Sequence, residues 1–295
     1  MKNIDYVGKF KYAATLSIIL VVGTIVLYFS KGLNYGVDFR GGVEIQVKFN
    51  KDVELGHLRE TLDKNSVPMS QLQSIGDASQ SEFLLKLESD KGDLNAISSQ
   101  VGSVLSSTYG EGSFEILKNN IVGPKAGAQL RISAFKALAW AILVIMIYLA
   151  LRFDYKFAPG AIVALLHDVV IIVGFFIITQ KEFSLQIIAA LLAVIGYSVN
   201  DTVVIYDRVR EIEAKDPSMN SFQLMNRALN ETMSRTIITS ATVFGVSIVM
   251  LFFGGSVIED FFFAITIGTI LGVYSTIYIA IPLTVWVEKF TKKDA

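Results

Sequence analysis

Six long apolar stretches, separated by polar segments, dominate this sequence of 295 residues. The first runs from Tyr12 to Phe29, and the others lie near 130–151, 159–179, 185–205, 236–254 and 261–286. A helix rises about 1.5 Å per residue, so about 20 apolar residues cross the hydrocarbon core of a bilayer. Only helices and closed barrels satisfy all backbone hydrogen bonds in lipid. The pattern therefore predicts a membrane protein with an all-α bundle of six transmembrane helices.

The composition agrees with a membrane location and excludes several kinds of site. Apolar residues make up 52% of the chain and charged residues only 18%, which is little charge for the surface of a soluble protein of this length. The formal net charge of −1 gives no electrostatic reason to expect a nucleic-acid partner. The chain contains no cysteine, which excludes disulfides, zinc–thiolate sites and thiol catalysis. We expect no metal site, no bound cofactor and no catalytic residue.

The polar interval at 31–128 has the periodicity of a small α+β domain. Its predicted strands and amphipathic helices follow the order β-α-β-β-α-β, which is the ferredoxin-like arrangement. The predicted elements are Val43–Phe49, Leu55–Leu62, Met69–Ile75, Glu82–Leu87, Leu94–Leu105 and Phe114–Val122. We therefore divide the chain into a tail with the first helix at 1–30, this domain at 31–128, and a bundle of helices two to six at 129–295.

The positions of lysine and arginine predict the orientation in the membrane. With the N-terminus inside, the inner segments contain many basic residues, among them Lys9, Lys11, Arg152, Arg208, Arg210 and Arg227. The two short outer loops contain only Lys181. We expect both termini and a loop at 206–235 in the cytoplasm, and the domain at 31–128 on the periplasmic side. The first stretch lacks a small-x-small cleavage pattern and is predicted to be an uncleaved anchor.

Among the ionisable residues within the apolar stretches or at their ends, four stand out. Asp201 is in the fourth stretch, His167 and Asp168 are in the third, and Arg235 opens the fifth. A charge at the bilayer centre costs about 2.5–3.5 kcal/mol, so each of these groups needs a partner or a function. Their similar depth in the cytoplasmic half predicts a cluster that faces the interior of the bundle.

Two interpretations of this cluster are open. In a proton pathway, a helix movement brings Arg235 towards Asp201 or removes it, and the proton affinity of the acid changes accordingly. In the alternative, a static Asp–Arg pair only fixes the packing of two helices. Arg235 is then a positive-inside anchor, and His167 with Asp168 forms an ordinary helix contact.

A glycine-bearing segment joins the first apolar stretch to the first strand. It reads Gly36-Val37-Asp38-Phe39-Arg40-Gly41-Gly42, and its paired glycines permit backbone angles that other residues avoid. A hinge and a simple turn both explain such a segment. A phosphate loop does not, because no G-K-[ST] follows and the next element is a strand.

Several of these segments together resemble the SecF branch of the SecD/SecF family, which belongs to the RND-like superfamily. They are Gly36–Gly42, Leu166–Val169, Gly196–Val204, Asp207–Glu211 and Asn230–Ser240. The resemblance implies an RND-like half-bundle that pairs obligatorily with SecD in the bacterial inner membrane. It also implies a role beside the SecYEG channel, YajC and the SecA motor, where the proton-motive force promotes late steps of preprotein export.

The resemblance also assigns roles to individual residues. It places the intramembrane proton-pathway acid at Asp201 and its partner arginine at Arg235, with His167 and Asp168 as further members. Protons are the only coupling ion that it implies.

Two other functional classes are weighed against this one. An RND-like exporter of lipids or small molecules also combines outer domains with intramembrane acids, but it usually contains two such halves in one chain. A membrane enzyme is disfavoured because the chain has only two histidines and lacks G-x-S-x-G, H-E-x-x-H and P-loop patterns.

Overall fold

The computed structural model describes residues 4–76, 81–87, 93–153 and 157–291. Within these residues, six helical segments are long and apolar enough to cross a membrane, as predicted. In chain order the elements are α1 (Phe10–Ser30), α2 (Val37–Arg40), β1 (Gly42–Phe49), α3 (Leu55–Lys64), β2 (Met69–Ile75), β3 (Glu82–Leu87), α4 (Leu94–Tyr109), β4 (Phe114–Val122), α5 (Pro124–Arg152), α6 (Ala158–Thr179), α7 (Leu185–Lys215), α8 (Ser221–Phe253), α9 (Ser256–Ser275) and α10 (Ile281–Thr291). A π-helical turn at Thr276–Ala280 joins α9 to α10, so the two form one span.

The α+β domain at 31–128, which we call the outer domain after its predicted location, contains a four-stranded antiparallel sheet with strand order β2-β3-β1-β4. This order and the two helices confirm the ferredoxin-like prediction. Alternate side chains of the strands are buried against α3 and α4, as shown by Val43, Ile45 and Leu85, which have no exposed surface. The opposite face of the sheet carries polar side chains and lies over the outer ends of the membrane helices. His57 on α3 is exposed, and its Nδ1 atom lies 2.8 Å from the Tyr109 hydroxyl.

The prediction of a loop at 206–235 is wrong about its length, because most of these residues are helical. Helix α7 continues to Lys215 and α8 begins at Ser221, where the Asn220 side chain accepts a hydrogen bond from Gln223 N at 2.9 Å. Hydropathy marks where a helix leaves the lipid, whereas the helix itself continues as long as its backbone bonds and side-chain pairs are favourable. Arg235 therefore lies within α8 and does not open it.

The chain enters and leaves the outer domain at one crowded crossing. Gly41 has a φ of +89°, and a Cβ atom there would lie 2.8 Å from Pro124 N at the start of α5. A Cβ atom on Gly42 would lie 2.3 Å from the Leu87 carbonyl oxygen in β3. Only glycine fits at both positions without displacing the backbone of a neighbouring element.

The segment before this crossing is bound to the loop that connects α6 with α7. Phe183 N donates to Asn34 O at 2.8 Å, and Gly36 N donates to Phe183 O at 3.0 Å. Asp38 Oδ2 accepts a hydrogen bond from Leu185 N at 3.0 Å, so it caps the N-terminus of α7. The outer domain is therefore attached directly to the helix that carries Asp201.

Candidate intramembrane site

Asp201 lies in the middle of α7, and only 3% of the residue is exposed. Ser240 on α8 donates to Asp201 Oδ2 at 3.5 Å, and the Tyr197 hydroxyl donates to Ser240 Oγ at 2.7 Å. Among the described residues, this long bond is the only hydrogen bond of the Asp201 side chain, and no ion pair joins the carboxylate to a basic side chain. An ionised carboxylate accepts about four hydrogen bonds. Asp201 is thus buried and poorly hydrogen-bonded, and it can accept a proton or a further donor.

Arg235 lies on the same helix as the hydroxyl group that contacts Asp201. It is five residues before Ser240, which is about 7.5 Å of helical rise, and its side chain is exposed. Large apolar side chains on α8, such as Ile238 and Val246, are also exposed, by 61% and 62%. The exchange between Arg235 and Asp201 that the sequence suggests stays a prediction.

His167 and Asp168 occupy the centre of α6 and are buried, with 6% and 1% exposure. His167 Nδ1 lies 3.1 Å from Asp168 Oδ1. Ser198 on α7 and Ser275 on α9 donate to Asp168 Oδ2 at 3.0 and 2.7 Å. Asp168 therefore connects three helices and, unlike Asp201, has most of its acceptor capacity filled.

The pair His167–Asp168 and the acid Asp201 thus have separate hydrogen-bond partners. No hydrogen bond or ion pair within the described residues joins Asp168 or His167 to Asp201, which contacts α8 instead. A row of hydroxyl groups on α7 was not expected from the sequence, although Ser198, Thr202 and Tyr206 recur at helical spacing. Thr202 Oγ1 lies 3.0 Å from Thr276 Oγ1, and Tyr206 OH lies 3.0 Å from Thr284 Oγ1. Hydroxyl groups change hydropathy little, so only their i, i+4 spacing could have indicated this row.

A pair of substitutions at Asp168 tests whether its hydrogen bonds hold the helices together. Asp168→Ala removes an acceptor shared by three groups and is expected to lower the free energy of unfolding by about 2–4 kcal/mol. Asp168→Asn keeps one acceptor oxygen and the shape, so a loss of about 1 kcal/mol is expected. Thermal unfolding of the purified protein measures both. Equal stability of the alanine variant and the unmodified protein would contradict a structural role.

Comparisons with known proteins identify the family. A family model described as "Protein export membrane protein SecD/SecF, C-terminal" matches residues 100–290, and the "SecD/SecF GG Motif" model matches residues 29–53. A protein translocase subunit SecF from Calditerrivibrio nitroreducens is 40% identical over 99% of this chain and 96% of its own length. This chain belongs to the SecD/SecF family. A SecF subunit from Petrotoga mobilis is 36% identical over 99% of both chains.

Solved structures of SecDF proteins share the fold of this SecD/SecF-family chain. SecDF from Thermus thermophilus, described as a translocon-associated membrane protein, has a TM-score of 0.78 and 32% identity over 99% of this chain. A SecDF structure in a super-membrane-facing form has a TM-score of 0.73 and 33% identity. This chain covers 39% of each of those longer chains.

The family motif coincides with the crossing described above. The GG-motif match includes Gly41 and Gly42, whose missing side chains allow the close approach to α5 and β3. It also includes Asp38, which caps α7. In this SecD/SecF-family protein the motif therefore holds together the outer domain, α5 and the helix that carries Asp201.

Proposed function

We propose that this chain is an auxiliary subunit of the Sec preprotein translocase. Paired with SecD, it uses the proton-motive force to promote late steps of protein export across the cytoplasmic membrane. The observation that carries the proton-driven part is Asp201, a buried acid with one long hydrogen bond and no ion pair within the described residues. The near full-length similarity to SecF translocase subunits supports the export role.

In the proposed cycle, Asp201 gains and loses a proton, and α7 transmits the change. A neutral acid fits an apolar interior better than a carboxylate, so proton loss favours a helix arrangement that supplies a positive charge or water. Arg235 on the neighbouring α8 is the proposed source of that charge. One elementary charge that crosses a potential of 100 mV contributes about 2.3 kcal/mol. Helix α7 runs without interruption from Asp201 to Leu185, where Asp38 of the GG motif binds it.

The proposed orientation has both termini in the cytoplasm and the outer domain on the periplasmic side. The chain has no cysteine, so single introduced cysteines report accessibility without background. A membrane-impermeant maleimide added to intact spheroplasts is expected to label Thr108→Cys in α4 but not Ser218→Cys between α7 and α8. The reverse pattern would invert the orientation.

The proposed partners are SecD, the SecYEG channel, YajC, the SecA motor and the translocating preprotein, and no chemical catalysis is proposed. Gentle purification of the chain from native membranes tests this assignment. Recovery of SecD or the channel supports the translocase role. Recovery of a periplasmic adaptor or an outer-membrane channel, without Sec components, would favour an RND-like exporter of lipids or small molecules.

A further inference from the structure

A second buried acid lies at the outer end of the bundle, far along α7 from Asp201. Glu182 is in the short loop between α6 and α7, and its carboxylate forms an ion pair with Lys86 of β3 at 2.7 Å. The side chains of Glu182 and Lys86 are only 12% and 16% exposed. This pair joins the outer domain to the residues that immediately precede α7.

The position of Glu182 depends on a glycine in the family motif. A Cβ atom on Gly36 would lie 2.1 Å from Glu182 Oε1, so any larger residue would displace the carboxylate. The carboxylate borders a polar cavity of about 440 Å³ between the sheet and the helices, which gives water access from the outer side. The fold therefore holds Glu182 in a buried position, and the cavity gives protons a route to its carboxylate.

Charged groups border this cavity from several of the surrounding elements. Lys86 comes from β3, Asp38 from α2 and Asp260 from α9. The adjacent Lys181 is paired with Glu259 and Asp260 at 2.5 and 2.7 Å. Glu44 of β1 and Lys118 of β4 form a further pair at 2.9 Å. Glu182 thus pairs with Lys86 and lies near two acids, Asp38 and Asp260, that do not pair with it.

Burial is the main influence on the acid–base behaviour of Glu182. It raises the pKa of the carboxyl group, Lys86 lowers that pKa in part, and Asp260 and Asp38 raise it further. A protein conformation in which a carboxyl group has a raised pKa binds a proton more tightly than one in which the group is hydrated. Lowering the outer pH therefore favours the conformation in which the sheet covers Glu182.

We propose that Glu182 is an outer proton-binding site, separate from Asp201, whose protonation strengthens docking of the outer domain on the loop before α7. A hydronium ion in the cavity transfers its proton to Glu182 and leaves water, and the neutral acid keeps an oxygen that accepts from Lys86 Nζ. Loss of the proton leaves a charged carboxylate in a mostly buried position beside the acids Asp38 and Asp260, and this loosens the contact. This site rests on the proposed function, because that function places the cavity on the side from which protons enter.

A purely structural ion pair predicts the opposite response to pH. If the charged pair holds the domain in place, protonation of Glu182 removes the attraction and acid releases the domain. Glu182→Gln distinguishes the two cases, because glutamine imitates the protonated acid at every pH. A proton-binding site predicts a docked domain in this variant, and a structural ion pair predicts a released one.

The experiment measures the distance between the outer domain and the bundle in the full chain, reconstituted with SecD in lipid vesicles. Spin labels are placed at Thr108→Cys on α4 and at Phe253→Cys at the end of α8. The native Phe253 is 85% exposed. The outer pH is varied between about 4 and about 8, a range that includes ordinary and raised glutamate pKa values. We expect a shift from a broad distribution at high pH to a single docked distance at low pH.

The variants have defined expected results. Glu182→Gln is expected to give the docked distance at every pH. Lys86→Met removes the cation that lowers the pKa, so the midpoint of the transition should move to higher pH. Glu44→Gln, which removes a carboxylate bordering the same cavity, should respond like the unmodified protein. A pH-independent unmodified protein, a released Glu182→Gln variant, or an unchanged or lower midpoint in Lys86→Met would each overturn the proposal.

The same spin labels distinguish a failure of this proposal from a failure of the proposed function. Asp201→Asn is expected to keep the response to outer pH, because Glu182 is intact. Normal proton-driven export by Asp201→Asn would refute the role of Asp201 and leave the result at Glu182 unaffected.

Discussion

Asp201→Asn is expected to abolish proton-dependent stimulation of preprotein export while the protein still folds and pairs with SecD. Asparagine has the same shape, and its oxygen still accepts the hydrogen bond from Ser240 Oγ. The stability change should therefore stay below about 1 kcal/mol. The asparagine amide cannot take up or release a proton at physiological pH, so the proposed cycle stops. Export into vesicles, measured with and without a proton gradient, should be equal for this variant.

Asp207→Asn is the matched control for that experiment. Asp207 lies on the same helix, is 41% exposed and pairs with Arg152 at 3.0 Å. An exposed ion pair contributes about 0–1 kcal/mol, so its loss should leave gradient-driven export near the unmodified level. Gradient-driven export by Asp201→Asn at the unmodified rate would leave that residue with a packing role only. Equal loss in both variants would point to general damage to α7.

Gly42→Ala is expected to destabilise the outer domain by about 3 kcal/mol or more, through steric overlap and backbone strain. The added methyl group would lie 2.3 Å from the Leu87 carbonyl oxygen, and the φ of +153° is unfavourable for alanine. Val43 pairs with Leu87 at the start of the β1–β3 pairing, so the two strands must separate there. Limited proteolysis and thermal unfolding of the SecD complex measure the loss.

Gly123→Ala provides a control at the other end of the same crossing. Gly123 precedes α5, has a φ of −66°, and no atom lies within 4 Å of a Cβ atom built there. Its substitution should change stability by less than about 0.5 kcal/mol. If Gly42→Ala is as stable as Gly123→Ala, the crowding at the crossing does not constrain the fold, and a hinge becomes the better explanation for the glycine pair.

Periodicity was sufficient to predict the outer domain, because most of its strands and helices have one apolar face and one polar face. Every predicted strand and helix has a counterpart, and β2 and β3 begin and end at the predicted residues. The same reasoning failed at 206–235, where the helices bury an apolar face that includes Val209, Ile212 and Leu224 but carry many charged residues beside it. Arg208 and Arg227 both pair with Glu231 there, and these charges are compatible with a loop as well as a helix.

For the intramembrane site too, the sequence indicated which residues are unusual, and the structure showed what surrounds each of them. An acid among apolar residues is unusual enough to single out Asp201 and Asp168 from the sequence. Their different surroundings are visible only in the structure, where Asp168 accepts bonds from α7 and α9, whereas Asp201 has a single long contact with α8. The assignment of the proton pathway to these residues and to Arg235 stays a prediction.

The sequence by itself determined the six spans, the order of the outer domain and the residues that are costly in lipid, because all of these depend on local hydropathy and periodicity. The tertiary structure alone decided which distant groups meet. Gly36 leaves room for Glu182, Asp38 caps α7, and Lys86 forms a buried ion pair with Glu182 across the junction. These contacts join residues far apart in the chain, and the free energy of such a contact depends on burial and distance, which no local pattern contains.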